Sequence, residues 1–201
     1  MQRDKGTIAV GGREMVLSKN MQKLVAGSST IRKLFEEGIE LAKEVGAENV
    51  YDFSLGNPAA PVPEEVKKSI YDILENRNAN FVHCYMPNAG YPEVREKVAE
   101  NLNKKYNSSF TKEDIIMTVG AAGGINCVLR CLLEQEDEVL CFAPFFGEYN
   151  SYVMNFGGNL KVVPADYETF QLNVEEADKY ITERTKAVII NNPNNPSGVV
   201  Y

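Results

Sequence analysis

The sequence has no tryptophan, a single histidine and only four cysteines among its 201 residues. The cysteines form no Cys-x-x-Cys pair, and one histidine does not complete the usual zinc ligand sets. Cys127 and Cys131 lie four residues apart in an apolar stretch, where we expect small buried side chains. His83 has no serine or cysteine nucleophile motif beside it, so we expect a local structural or interfacial role. Neither a metal site nor a catalytic triad is predicted.

Basic residues are also in deficit, since 21 Lys and Arg stand against 28 Asp and Glu and leave a net charge of −7. A nucleic-acid-binding surface normally carries a basic stripe, so this balance argues against a nucleic-acid partner. No apolar run reaches the ~18 residues of a transmembrane helix. Met1–Val10 lacks the long apolar segment of a signal peptide. With 44% apolar and 24% charged residues, the composition is globular, and we expect a cytoplasmic enzyme without a membrane partner.

What the sequence does contain is a regular succession of apolar segments. Helical spacing of apolar residues predicts helices at about 29–45, 64–76 and 93–106. Alternation predicts a strand at 50–55, and residues 1–20 are expected to form a loose arm. From residue 115 strands alternate with helices, with strands at 115–119, 138–142, 160–163 and 187–191 and helices at 125–133, 148–155 and 174–181. Near-continuous apolar strands separated by helices are typical of a parallel sheet covered on both faces, so the fold class is α/β.

Glycine and alanine follow the first of these strands. In an open α/β sheet, ligands bind beyond the carboxyl ends of the strands. Gly120, Ala121 and Ala122 stand there at the start of a helix, where small residues let backbone N–H groups approach an anion such as a phosphate. Close packing of strand and helix is the alternative explanation. The pattern matches neither the dinucleotide-binding glycine motif nor the P-loop.

Two further loops follow predicted strands. Ala143-Pro-Phe-Phe-Gly-Glu-Tyr149 brings two aromatic rings, which serve either as core or as a flat surface for a planar ligand. Asn191-Asn-Pro-Asn-Asn-Pro-Ser-Gly198 contains two Asn-Pro steps, where a cis peptide bond is accessible. Its asparagines offer amide donors at the end of a strand. An ordinary turn built from common turn residues is the alternative.

Five motifs, in this order, resemble the class I/II aminotransferase family of pyridoxal-phosphate enzymes, which has the aspartate aminotransferase fold. They are Ser54–Pro58, Tyr85–Lys97, Thr118–Ala122, Ala143–Tyr149 and Asn192–Gly198, and the last is the most specific. The resemblance extends from about residue 27 to the end. It implies an N-terminal arm and the first part of a small domain, with its helix, over 1–53. It implies an incomplete large cofactor-binding domain, with a mixed and mainly parallel sheet, over 54–201.

The resemblance implies contacts to the substrate and to the cofactor phosphate. Gly56 matches the glycine whose main chain contacts the α-carboxylate of the substrate. Tyr85 matches the tyrosine that reaches the cofactor phosphate of the partner subunit. Ala121 and Ala122 fall where backbone amides hold that phosphate. Many relatives have a polar side chain there, and these alanines leave only main-chain donors.

The resemblance also implies contacts to the cofactor ring. Phe146 matches the aromatic residue that stacks on the pyridine ring, and Asn195 matches the asparagine that hydrogen-bonds the phenolic oxygen. The family also needs a Schiff-base lysine, an aspartate for the pyridine nitrogen and an arginine for the substrate carboxylate. All three lie downstream of the Asn-Pro-Ser-Gly motif in the family. We therefore expect no catalytic residue within this chain and no activity from the 201 residues alone.

The expected activity is transfer of an amino group between an amino acid and a 2-oxo acid through pyridoxal phosphate, as in aspartate aminotransferase. The expected assembly is a homodimer with shared active sites. A carbon–sulfur lyase of the same fold and a non-catalytic truncated remnant are the alternatives. The motifs do not identify the amino donor.

Overall fold

The computed structural model describes residues 7–10, 13–18, 21–22, 30–53, 56 and 60–201. Internal contacts divide the chain into two units, Met1–His83 and Cys84–Tyr201. The domain boundary expected between residues 53 and 54 comes from the family resemblance and not from internal contacts, so it stays a prediction.

A hairpin and helices make up the described part of the first unit. Strand β1 (Thr7–Val10) pairs antiparallel with β2 (Arg13–Val16), so the predicted loose arm contains a hairpin. Strands of four residues are too short for apolar alternation to reveal them. The helices are α1 (Thr30–Val45), α2 (Glu64–Asn76) and the short α3 (Ala79–Val82). The first two match the predicted helices, and α3 was not predicted.

The strand predicted at 50–55 is wrong for residues 50–53, and residues 54–55 lie outside the described part. Ala47–Asn49 form a 3₁₀ turn, after which Val50 is extended without ladder bonds. Tyr51 and Phe53 are 81% and 93% exposed. Alternating apolar residues form a strand only where a neighbouring strand supplies hydrogen bonds, and the described first unit has no pairing beyond the hairpin.

A parallel three-stranded sheet is the centre of the second unit, in the order β4-β3-β5. Strand β3 (Glu138–Phe142) lies between β4 (Asn159–Val163) and β5 (Thr185–Ile189). β3 is buried along its whole length, as its continuous apolar run predicts for a strand with two neighbours and two covered faces. β5 starts two residues before its predicted position.

Helices cover both faces of this sheet, which confirms the predicted α/β arrangement. On one face Leu129 and Val153 pack against Val139, and on the other Leu140 packs against Ala177. Adjacent strand residues point to opposite faces, so Val139 and Leu140 separate the two clusters. The helices of this unit are α4 (Pro92–Tyr106), α5 (Gly120–Leu132), α6 (Glu148–Met154) and α7 (Val174–Ala177).

Helix α5 begins five residues earlier than predicted, because residues 120–124 form its first turn instead of a separate turn. Residues 120–124 include three glycines, which disfavour helix, so local propensity did not predict this first turn. The expectation that Cys127 and Cys131 are buried is wrong, since both are exposed on the outer face of α5. They lie on one helical face, on the side opposite the buried Leu129. The buried cysteine is Cys141, in β3.

The strand predicted at Ile115–Val119 has no ladder partner among the described residues. The N–H of Met117 donates instead to the carbonyl oxygen of Ala89 at 2.9 Å. Arg95 of α4, which is buried, donates from Nη1 to the carbonyl oxygen of Lys112 at 2.8 Å. These bonds attach the segment before α5 to α4 and to the loop that precedes α4.

Candidate functional site

Two proline-containing loops meet at the carboxyl edge of the sheet. Residues 143–147 follow β3 and residues 190–198 follow β5, and the two strands are parallel neighbours. Their carboxyl ends therefore lie at the same edge, where open α/β sheets bind ligands. The side chain of Asn194 joins the loops, since its Nδ2 donates to the carbonyl oxygen of Pro144 at 3.2 Å. The peptide bonds preceding Pro144, Pro193 and Pro196 are cis.

The first turn of α5 lies at this same edge. α5 ends at Leu132, and β3 begins at Glu138 after a short connection. Leu129 near the end of the helix packs against Val139 near the start of the strand. A helix that is joined so closely to a strand and packed on it runs in the opposite direction. The start of α5 is therefore directed toward the carboxyl end of β3.

The start of α5 is suited to an anion. No side chain caps this helix, so its first N–H groups have no intrahelical partner and carry the positive end of the helix dipole. Gly120 has φ +67°, and a Cβ added there would meet no described atom within 4 Å. Ala121 and Ala122 are exposed. Open space thus adjoins unsatisfied backbone donors.

The two phenylalanines of the first loop have different environments. Phe145 lines a small cavity together with Cys141 and Ile189, and its ring is stacked with that of Tyr149 at a centroid distance of 6.5 Å. Phe146 is 37% exposed and meets the ring of Tyr149 at 5.7 Å and 81°. Burial raises the pKa of Tyr149, so its hydroxyl is neutral at physiological pH. Phe145 is therefore a packing residue, and Phe146 has ring surface available to a ligand.

The four asparagines of the second loop also differ. Oδ1 of Asn191 accepts from the N–H of Asn195 at 2.8 Å, and Oδ1 of Asn192 accepts from the N–H of Tyr201 at 3.1 Å. Asn194 is 8% exposed and bonds to the other loop. Within the described part of the chain, only Asn195 among these four has no side-chain hydrogen bond, and it is exposed. The sequence indicated only that all four could act as donors. It did not reveal that Asn194 is buried and bonded to the other loop, because nothing in the local pattern separates Asn194 from its neighbours.

Tyr85 and Gly56 complete the residues singled out from the sequence. Tyr85 is fully exposed in the second unit, and its loop is attached to Met117 through the carbonyl group of Ala89. Gly56 belongs to the first unit and is exposed, with residues 54–55 and 57–59 outside the described part. The structure thus brings the start of α5, Phe146 and Asn195 to one edge of the sheet. It does not relate Gly56 to them.

Ion pairs involve Lys161, Lys179 and Lys186 of the second unit. Nζ of Lys161 lies 3.2 Å from a carboxylate oxygen of Glu138, and Nζ of Lys186 lies 3.9 Å from Asp137. Both carboxylates stand at the amino end of β3, opposite the edge that carries the loops. Lys179 pairs with Glu176, its neighbour one turn earlier. None of these pairs brings an ammonium group to the carboxyl edge.

The described ranges contain neither a metal-binding cluster nor a membrane-spanning helix. No group of three or more His, Cys, Asp or Glu side chains there is arranged to hold a metal ion. No helix in the same ranges has both the length and the apolar character needed to cross a bilayer.

The family model for aminotransferase class I and II matches residues 47–201. The chain belongs to this family. Its similarity to a probable aspartate/prephenate aminotransferase of Aquifex aeolicus is 36% identity over 163 residues, which is 80% of this chain and 40% of that protein. It is 38% identical over 189 residues to aromatic-amino-acid aminotransferase 2 of Thermococcus litoralis, which is 92% of this chain and 45% of that protein.

Solved structures of class I and II aminotransferases resemble this chain closely. An aminotransferase from Eubacterium rectale superposes with a TM-score of 0.87 at 40% identity, covering 93% of this chain and 47% of its own. Aspartate aminotransferase from Thermus thermophilus, solved with maleate, has a TM-score of 0.79 at 31% identity and covers 92% and 47%. The aspartate aminotransferase fold is thereby confirmed. The chain spans less than half the length of these relatives.

Proposed function

We propose that the protein containing this chain is a pyridoxal-phosphate-dependent aminotransferase that moves an amino group between an amino acid and a 2-oxo acid. The observation that carries the proposal is the convergence at one sheet edge of an uncapped helix start, an exposed aromatic ring and an unpaired amide. Relatives named for aspartate, aspartate/prephenate and aromatic amino acids support an amino acid as the donor. An aspartate-aminotransferase-like reaction is the specific form proposed.

The groups at this edge fit pyridoxal phosphate by chemical type. Backbone N–H groups of Ala121 and Ala122 at the positive end of α5 suit a phosphate, and the alanine side chains themselves offer no donor. The exposed ring of Phe146 suits the flat pyridine. The amide N–H of Asn195 suits the phenolic oxygen. When bound, the cofactor supplies an electron sink for charge that develops at the substrate α-carbon. The residues of this chain bind the cofactor and fix its orientation.

The remaining contacts needed for the reaction are proposed to come from outside this sheet edge. Gly56 is assigned to the main-chain contact with the substrate α-carboxylate. The Schiff-base lysine is assigned to sequence outside residues 1–201, a choice supported by the engagement of Lys161 and Lys186 in ion pairs.

We assign residues 1–53 to the arm and small domain and residues 54–201 to the large domain. A cytoplasmic location is part of the same proposal.

The test uses the full-length protein that contains this chain, titrated with pyridoxal phosphate and followed by cofactor absorbance. Aspartate and aromatic amino acids are then offered with 2-oxoglutarate. We expect cofactor binding and amino transfer. Asn195→Ala should lower the affinity for pyridoxal phosphate roughly tenfold or more, since a hydrogen bond to a charged group contributes about 1.5–3 kcal/mol. Asn101→Ala, an exposed change within α4, is the control and should bind as wild type.

Three outcomes decide between the candidate functions. Amino transfer that depends on Asn195 supports the aminotransferase. Release of sulfur from a cysteine-type substrate without transfer identifies a carbon–sulfur lyase of the same fold. Absence of both cofactor binding and transfer contradicts the proposal and favours a non-catalytic remnant.

We also propose a homodimer in which Tyr85 acts on the cofactor phosphate of the partner subunit. The full exposure of Tyr85 supports this, because its hydroxyl is available to a neighbouring chain. Mixing Tyr85→Phe subunits with Asn195→Ala subunits should restore activity, since one site of each heterodimer then has both native residues. No recovery after demonstrated subunit exchange, while each parent variant is impaired, contradicts sharing.

A further inference from the structure

We infer that Asn194 is a positioning residue of the cofactor site, whose side chain holds the loop of Phe146 in place against the loop of Asn195. The inference rests on the proposed function in one respect, namely that these loops carry the cofactor contacts. Asn194 itself is buried and faces protein. It therefore acts through its neighbours and not on the ligand.

The Asn194 amide is bonded on both sides. Its Nδ2 donates to the carbonyl oxygen of Pro144, 50 residues away in sequence, at 3.2 Å. Its Oδ1 accepts from the N–H of Ser197 at 3.1 Å and from the hydroxyl of Ser197 at 2.8 Å. The backbone of Asn194 is also held, because its N–H donates to the carbonyl oxygen of Val199 and its own carbonyl accepts from Gly198. The side chain of Asn194 thus connects the turn at 194–199 to the loop at 143–147.

This connection stands where the sheet no longer constrains the loops. The ladder between β3 and β5 ends at the pair Cys141 and Ile189. Beyond that pair, the bond from Asn194 to Pro144 is the one hydrogen bond between the two loops in the described part of the chain. Pro144 is two residues before Phe146, and Asn194 immediately precedes Asn195. A site of this kind loses much of its effect when its groups are misplaced by about 1 Å.

The chain offers a closely matched control for this arrangement. Asn103 of α4 donates from Nδ2 to the carbonyl oxygen of Phe110 at 2.7 Å. Its Oδ1 accepts from the N–H of Phe110 at 2.7 Å and from the hydroxyl of Ser108 at 3.0 Å. Asn194→Asp and Asn103→Asp therefore each keep the acceptor, lose one donor to a carbonyl group and add one charge. Only the first change affects the sheet edge.

The experiment uses the full-length protein and has two measurements. Hydrogen–deuterium exchange without cofactor reports on the peptide covering 143–150, and titration with pyridoxal phosphate gives the dissociation constant. We expect Asn194→Asp to accelerate exchange over 143–150 and to raise the dissociation constant roughly tenfold, the factor that ~1.4 kcal/mol represents. Asn103→Asp should leave both unchanged, even where the two variants lose similar thermal stability.

Several results overturn the inference. One is unchanged exchange over 143–150 in Asn194→Asp, and another is an equal loss of cofactor affinity in both variants. If the wild type binds no pyridoxal phosphate, the proposed function fails, and exchange over 143–150 alone decides whether Asn194 couples the loops. If Asn194→Asp does not fold, the uncharged pair Asn194→Ser and Asn103→Ser is measured in the same way, with the same expected contrast.

Discussion

Gly90 lies directly against Met117. A Cβ added to Gly90 would stand 2.6 Å from Cγ of Met117, and Gly90 has φ +97°. The neighbouring Ala89 accepts the backbone N–H of Met117 at 2.9 Å. The loop that carries Tyr85 is thereby attached to the segment leading into α5, so the two regions proposed to contact the cofactor phosphate are linked through the backbone.

Gly90→Ala should lower the free energy of unfolding by about 1–3 kcal/mol, because a left-handed φ and a close contact are combined at one residue. Urea denaturation measures the change. Gly147→Ala is the control, since Gly147 has φ −54° and open space where its Cβ would be. Equal stability of the two variants would contradict the packing described for Gly90.

Phe146→Ala should weaken pyridoxal phosphate binding about two- to tenfold in the full-length protein, since an aromatic pair contributes about 0.5–1.5 kcal/mol beyond its buried area. Phe146→Tyr should retain most of the affinity, because it keeps a ring of the same shape. Phe110→Ala, at another exposed phenylalanine, serves as the control. Fluorescence titration gives the dissociation constants. Wild-type affinity in Phe146→Ala is the result that excludes stacking on this ring.

Cys141 should be inert to thiol reagents in the folded protein. Burial raises the pKa of its thiol to about 12, so almost none is thiolate at pH 8. Cys84, Cys127 and Cys131 are exposed and should react. Mass spectrometry after labelling with and without denaturant identifies the modified positions. Labelling of Cys141 at the same rate as Cys127 without denaturant would disprove its burial in β3.

Glu138 should make stability depend on pH under acidic conditions. The hydroxyl of Thr182 donates to its carboxylate at 2.6 Å, and this bond, with Lys161, lowers the pKa of Glu138 below its ordinary value of 4.5. A carboxyl group with a lowered folded-state pKa stabilises the fold above its unfolded pKa, and this contribution is lost as pH falls through the folded value. The stability difference between wild type and Glu138→Gln should therefore be largest near pH 7 and shrink below pH ~4.5.

Urea denaturation across pH measures this dependence. Glu183→Gln, an exposed change in the adjacent turn, should follow the wild-type profile. A gap between wild type and Glu138→Gln that grows on acidification would show that the sign is wrong.

Among the strands, the one that the sequence predicted best is the one whose burial is continuous. The apolar run at 138–142 identified the central strand, because a strand with two neighbours and two covered faces has no polar side to interrupt it. The segment at Ile115–Val119 has a similar composition and yet forms no ladder in the described chain. Composition reports a preference for extended backbone, whereas a strand also requires a partner.

The sequence by itself determined the order of the motifs, the family and the presence of small, aromatic and amide groups after successive segments of an α/β pattern. Only the tertiary structure decided which of these groups are exposed and available to a ligand. Asn194 and Asn195 are adjacent and chemically identical. The first is buried because Pro144, 50 residues earlier, lies within hydrogen-bonding distance of its side chain, and the second remains exposed with a free amide. That distinction depends on contacts between distant segments, which exist only once the strands have paired.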